Sequence, residues 1–126
     1  ARWMHQQAEE EMQHALKLFD YVLDRGGTPV IGAIEAPKSK WDSPLEVFED
    51  ALKHEEFITA SINELVDLAI SIKDHATNSM LQWFVDEQVE EEATTSQIVD
   101  KLKLINNAPG GLFMLDNELG NRNESE

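Results

Sequence analysis

Three glutamates fall where an amphipathic helix presents apolar side chains: Glu11, Glu55 and Glu91. Projected at roughly 100° per residue, Glu55 lies near the middle of a stripe made by Phe48, Leu52, Ile58, Ile62, Leu65 and Ala69. Glu91 sits likewise among Leu81, Phe84, Thr95, Ile98 and Leu102, and Glu11 beside Met4, Ala8, Met12, Ala15 and Phe19. An unpaired buried carboxylate costs several kcal/mol or takes up a proton. For three turned inward on three separate segments, the economical explanation is a cation between them. Glu11-x-x-His14 adds an imidazole, because i and i+3 are neighbours on one helix surface and both side chains can reach one ion. Gln88, one turn before Glu91, can hydrogen-bond a ligand or a bound oxygen species. Carboxylates with one imidazole suit iron, manganese or zinc, and Glu11 is best placed to bridge two ions. Iron(II) held with open positions can reduce dioxygen while the protein fixes the geometry.

Plainer readings apply to the neighbouring residues. Glu9-Glu10-Glu11 and Glu90-Glu91-Glu92 are charge runs, and such runs are usually solvated. Glu9 and Glu92 are read as exposed, whereas Glu10, Glu87 and Glu90 adjoin the inward stripe and are open to either role. His5, His54 and His75 are read as surface residues. Met4, Met12, Met80 and Met114 are read as core filler, and Trp83 and Tyr21 as packing.

The elements that must position these groups follow from periodicity and caps. A first helix is expected from about Trp3 to Arg25, stopped by Gly26-Gly27. Residues 26–42 form a long connection with Pro29 and Pro37, expected to run the length of the molecule as an ordered strap with Val30 and Ile31 packed beneath it. Ser43-Pro44-Leu45-Glu46 is a helix start: Ser43 the N-cap, Pro44 the first helical residue, Glu46 the partner in a capping box. The second helix continues to about Ile72, and Lys73-Asp74-His75 turns the chain into an antiparallel third helix ending near Leu104. Residues 106–111 break the chain, a short helix is expected over Leu112 to Leu119, and Gly120 closes it. One domain over residues 1–120 is expected, with a flexible polar tail at 121–126. Three long helices with a crossover describe most of a four-helix bundle, with one wall open.

Composition narrows the function classes. Asp and Glu number 25 against 10 Lys and Arg, a net charge of -15, which argues against nucleic acid or an anionic membrane as partner and suits a protein that gathers cations. With no cysteine there is no disulfide, thiolate metal site or cysteine nucleophile, and a reducing cytoplasm is compatible. No apolar run approaches the roughly 20 residues of a membrane span, and no signal peptide is visible.

Several of these segments resemble the non-haem ferritins of bacteria and archaea. The resemblance rests on Gln7-Ala8-Glu9-Glu10-Glu11-Met12-Gln13-His14, on Asp20-Tyr21-Val22-Leu23-Asp24-Arg25-Gly26-Gly27, on Trp41-Asp42-Ser43-Pro44-Leu45-Glu46, on Lys53-His54-Glu55 and on Glu87-Gln88-Val89-Glu90-Glu91-Glu92. Gly111-Leu112 through Glu118-Leu119-Gly120 is similar to that family's short fifth helix, so nearly the whole chain is covered. The resemblance implies an all-α, ferritin-like bundle and a diiron ferroxidase centre. In it Glu11 is shared by both irons, His14 binds the first, Glu55 and Glu91 bind the second, and Gln88 contacts the oxygen side. Glu10, Glu87 and Glu90 match the carboxylates of a third iron site, and the family pattern leaves Glu91 open to sharing with it.

The resemblance further implies a cytoplasmic iron store. Such a subunit oxidises iron(II) with dioxygen or peroxide and keeps it as mineral in a homo-oligomeric, 24-subunit shell. The chain opens at Ala1 as though inside a helix, and the family's first helix, with its further glutamate for the first iron, is expected to be missing. That expectation keeps a second reading in view: a non-enzymatic shell component or scaffold, or a cation-binding bundle with an incomplete centre. A different diiron oxygenase or a haem-bearing relative ranks last, since no substrate pocket or haem ligand is apparent.

Overall fold

The computed structural model describes residues 2–105 and 108–121, and these form four helices and no strand. In chain order they are α1 (Arg2–Asp24), α2 (Pro44–Ser71), α3 (His75–Ile105) and α4 (Pro109–Gly120). Two compact units result, one of α1, the segment after it and α4, the other of α2 and α3.

In the second unit, α2 and α3 are an antiparallel pair, and each end is built by local hydrogen bonds. The Ser43 hydroxyl accepts from the Glu46 amide at 3.2 Å, while the Glu46 carboxylate reaches back to the Asp42 amide at 2.6 Å. The reciprocal arm of the expected box therefore lands one residue upstream of Ser43. At the other end, the Lys73 amide donates to Ile70 and the Asp74 amide to Ala69, with Lys73 in the left-handed region at φ 60. These paired bonds are a Schellman stop, here with lysine where glycine usually stands. Asp74 then opens α3: its carboxylate accepts from the Thr77 amide at 3.1 Å and from the Thr77 hydroxyl at 2.6 Å. One residue thus ends α2 and caps α3, which makes the connection so short. The apolar core of this unit is Ile62, Ala69, Leu81, Phe84, Ile98, Val99 and Leu102, all buried. Leu65, expected in the stripe, is 44% exposed, and the half-buried neighbour on that side is Val66.

In the first unit, α1 ends in the same Schellman pattern, with Gly26 at φ 78, its amide on Leu23 and the Gly27 amide on Val22. Helix α4 packs against α1 and buries Leu115. It begins at Pro109, earlier than the expected Leu112, because a proline in the first turn forfeits no helical bond. The face of α1 also differs from expectation. Trp3 is buried and Gln7, Glu10, His14, Leu18 and Tyr21 are half-buried, whereas of the expected stripe Phe19 is half-buried and Met4, Ala8, Met12 and Ala15 are exposed. Glu11 is exposed with them. The segment after α1 has no regular secondary structure, and Val30, Ile31 and Ile34 are 85%, 78% and 87% exposed, so the expected packing of Val30 and Ile31 is not found. Met114 is exposed like Met4 and Met12, leaving Met80 the one half-buried methionine among the four. Residues 106, 107 and 122–126, parts of the expected break and tail, lie outside the described residues. No described helix is long and apolar enough to cross a membrane.

Candidate metal centre

Polar residues interrupt the α2–α3 core at one level: Glu55 on α2, and Gln88, Glu91 and Thr95 on α3, are all buried. Regular spacing puts them there. Leu81, Phe84, Gln88, Glu91, Thr95, Ile98 and Leu102 recur every three or four residues along one line of α3, so the helix that buries the apolar members must bury the polar ones.

A carboxylate oxygen of Glu55 and one of Glu91 lie within 4.8 Å of one another. Were both ionised, they would repel by roughly 3 kcal/mol at an effective dielectric of about 20, a cost that a shared cation removes. Glu87, half-buried one turn before Glu91, also brings a carboxylate oxygen within 4.8 Å of a Glu91 oxygen. Gln88 braces Glu55 from α3. Its side-chain Nε2 donates to the Glu55 carboxylate Oε2 at 3.1 Å, to the Glu55 backbone carbonyl at 3.2 Å and to the Thr59 hydroxyl at 3.2 Å. The Thr59 hydroxyl in turn donates to the Glu55 carbonyl at 3.0 Å. Thr59 is a participant that the inward-glutamate pattern does not reveal. It stands one turn after Glu55 on the same line, so the spacing was available as a signal.

On α1, Glu11 and His14 are brought together as the i,i+3 spacing requires, with Glu11 Oε2 3.7 Å from His14 Nδ1. The His14 side chain is 15% exposed and that of Glu11 45%. The other Glu11 oxygen accepts from Gln7 Nε2 at 3.2 Å. Glu10 is half-buried and Glu90 exposed. His5, His54 and His75 are exposed, as expected, and His5 lies 3.3 Å from Glu9 on its own helix.

The donors grouped on α2 and α3 are carboxylate oxygens, a hard set that fits iron(II) or manganese(II) better than a thiophilic metal. The ferritin-like domain family matches residues 1–105 of this chain. The chain belongs to that family. A bacterial non-haem ferritin of Bacteroides fragilis is 45% identical over 122 residues, covering 97% of this chain and 76% of that protein. One of Escherichia coli O157:H7 is 42% identical over 119 residues, covering 94% and 72%. Among solved structures, the open pore ferritin of the archaeon Archaeoglobus fulgidus matches with a TM-score of 0.92 at 50% identity, covering 94% of this chain and 73% of that one. The all-α, ferritin-like fold class and the kinship with bacterial and archaeal non-haem ferritins, both expected from the sequence, are therefore borne out.

Proposed function

We propose that this chain is an iron-storage ferritin subunit that oxidises iron(II) at a diiron ferroxidase centre. The observation that carries the reading is the buried Glu55–Glu91 carboxylate pair, within 4.8 Å and with Glu55 braced by Gln88, in a chain of ferritin kinship. Glu11 and His14 complete the ligand set: Glu11 bridges the two irons, His14 binds the first, and Glu55 and Glu91 bind the second. Glu10, Glu87 and Glu90 supply a third iron site, for which the proximity of Glu87 to Glu91 is the support. Residues 1–120 act as one ferritin-like domain in a cytoplasmic, homo-oligomeric shell of 24 subunits.

Iron is the substrate here, and the side chains have three tasks. The carboxylates collect and neutralise two divalent ions, which the net charge of -15 draws in from solution. They hold both ions where one oxidant can take an electron from each. Being hard anionic ligands, they also favour iron(III) over iron(II), which helps drive the oxidation. Two iron(II) ions give two electrons, and with two protons these convert dioxygen to hydrogen peroxide. If peroxide is the oxidant, two electrons and two protons convert it to two waters. The iron(III) then passes to the mineral.

Mixing the metal-free protein with iron(II) in air tests the reading. Oxidation is expected to run well above the protein-free rate and to slow to near that rate in Glu91→Ala. Equal rates with and without protein would overturn it. The exposure of Glu11 favours a second reading, a bundle that binds one cation at Glu55 and Glu91 without fast redox chemistry. A second tightly held iron per chain in an anaerobic titration excludes that alternative.

A further inference from the structure

We propose that Thr59 is a positioning residue for the metal centre: through the Gln88 amide, its hydroxyl engages one carboxylate oxygen of Glu55 and leaves cation binding to the other. The proposal rests on the reading of Glu55 as a metal ligand given above.

The argument starts from hydrogen counting. An amide nitrogen carries two hydrogens, and Gln88 Nε2 faces three oxygens: Glu55 Oε2 at 3.1 Å, the Glu55 carbonyl at 3.2 Å and Thr59 Oγ1 at 3.2 Å. One hydrogen serves the carboxylate and the other is shared by the remaining two. The Thr59 hydroxyl has spent its own hydrogen on the Glu55 carbonyl, 3.0 Å away, so toward Gln88 it can only accept. A flipped amide would set its oxygen against all three acceptors, which leaves one orientation. Gln88 is buried, so bulk water does not stand ready to replace a lost partner.

Thr59 matters most when the carboxylate charge is drawn to a cation. The bond from Gln88 to Glu55 Oε2 then weakens, and the amide depends more on its shared hydrogen. With both Thr59 and the Glu55 carbonyl as acceptors, that hold keeps the NH₂ group beside Oε2. With the carbonyl alone, the amide can turn and Glu55 loses its fixed approach. Ser61 makes the same kind of back-bond, to the Phe57 carbonyl at 3.0 Å, but it is an exposed bond that meets no cross-helix amide among the described residues, and it serves as the control.

The experiment titrates the full chain with cobalt(II), following the visible spectrum of the bound ion, in the wild type, Thr59→Val, Thr59→Ser, Ser61→Ala and Glu55→Ala. Valine keeps the shape and deletes the oxygen, while serine keeps the oxygen and deletes a methyl. Thr59→Val is expected to bind about tenfold more weakly, the size typical of an outer partner of a ligand, with an altered cobalt spectrum. Thr59→Ser and Ser61→Ala should match the wild type. A Thr59→Val protein with wild-type affinity and spectrum overturns the proposal, and so does a Thr59→Ser protein as weak as the valine variant, since packing would then be the cause. If Glu55→Ala binds cobalt like the wild type, Glu55 is no ligand and both this proposal and the reading beneath it fall. If Glu55→Ala loses binding while Thr59→Val keeps it, only the role of Thr59 falls.

Discussion

Gln88 on α3 donates to two oxygens of one α2 residue, the Glu55 carboxylate at 3.1 Å and the Glu55 backbone carbonyl at 3.2 Å. A neutral donor satisfies hydrogen bonding without cancelling charge, so this bond leaves the negative charge of a buried glutamate for a cation. A lysine or arginine in place of Gln88 would make an internal ion pair and spend that charge. The same bond spans 33 residues of sequence and ties the two helices at the level of the candidate centre.

Glu55→Gln separates the two roles of Glu55. The amide oxygen can still accept from Gln88, so the fold should persist with a melting temperature within a few degrees of the wild type. Cation binding should fall by at least about 100-fold, at or beyond the upper end of what losing an outer partner costs. Circular dichroism melting and a cobalt(II) titration check the two halves of this expectation.

Cation binding should also stabilise the fold by mass action. At a free zinc(II) concentration of about 100 times the dissociation constant, one site adds about 2.7 kcal/mol, or roughly 10 °C in melting temperature for a chain of this size. Glu91→Ala should abolish most of the shift, and a chelator should reverse it in the wild type. Calorimetric scans with and without zinc give the measurement. An unchanged melting temperature in saturating zinc and manganese would speak against a built cation site.

Much of this was legible in the sequence because α3 carries one clean line, from Leu81 through Gln88 and Glu91 to Leu102, and every member is buried. Ser43-Pro44-Leu45-Glu46 was equally readable, since caps are local chemistry. Helix α1 was not. It bears an apolar line at Met4, Ala8, Met12 and Ala15 and a mixed line at Trp3, Gln7, Glu10, His14 and Tyr21. Periodicity favours the greasier line, but the structure buries Trp3 and half-buries the rest of the mixed one. Periodicity reports that a face is apolar and not what covers it. The exposed Val30 and Ile31 make the same point for an irregular segment, where β-branched residues carry no record of a partner.

Asp74→Ala should destabilise the α2–α3 unit. The Asp74 side chain accepts from both the amide and the hydroxyl of Thr77, at 3.1 and 2.6 Å. Alanine deletes both bonds while keeping the backbone bond to Ala69 that ends α2. Loss of an N-cap costs about 0.5–2 kcal/mol, and the upper half of that range is expected because two bonds are lost. Asp74→Asn, itself a good cap, should recover most of it. Urea unfolding with an unchanged slope is the check, since the effect belongs to the native helix start.

Lys73→Gly should do the opposite, one residue away. Lys73 has φ 60, and its amide donates to Ile70 in the Schellman stop of α2. A left-handed backbone costs a non-glycine residue about 1–2 kcal/mol, and the extra unfolded-state freedom of glycine returns roughly 0.5–1 kcal/mol of that. A net gain of about 0.5–1 kcal/mol is expected, in line with the preference for glycine at this position of a helix stop. Lys73→Ala distinguishes backbone from charge: alanine keeps the strain and loses the ammonium, so it should leave stability near the wild-type value. If alanine stabilised as much as glycine, the gain would come from removing lysine, and the left-handed backbone would not be its source.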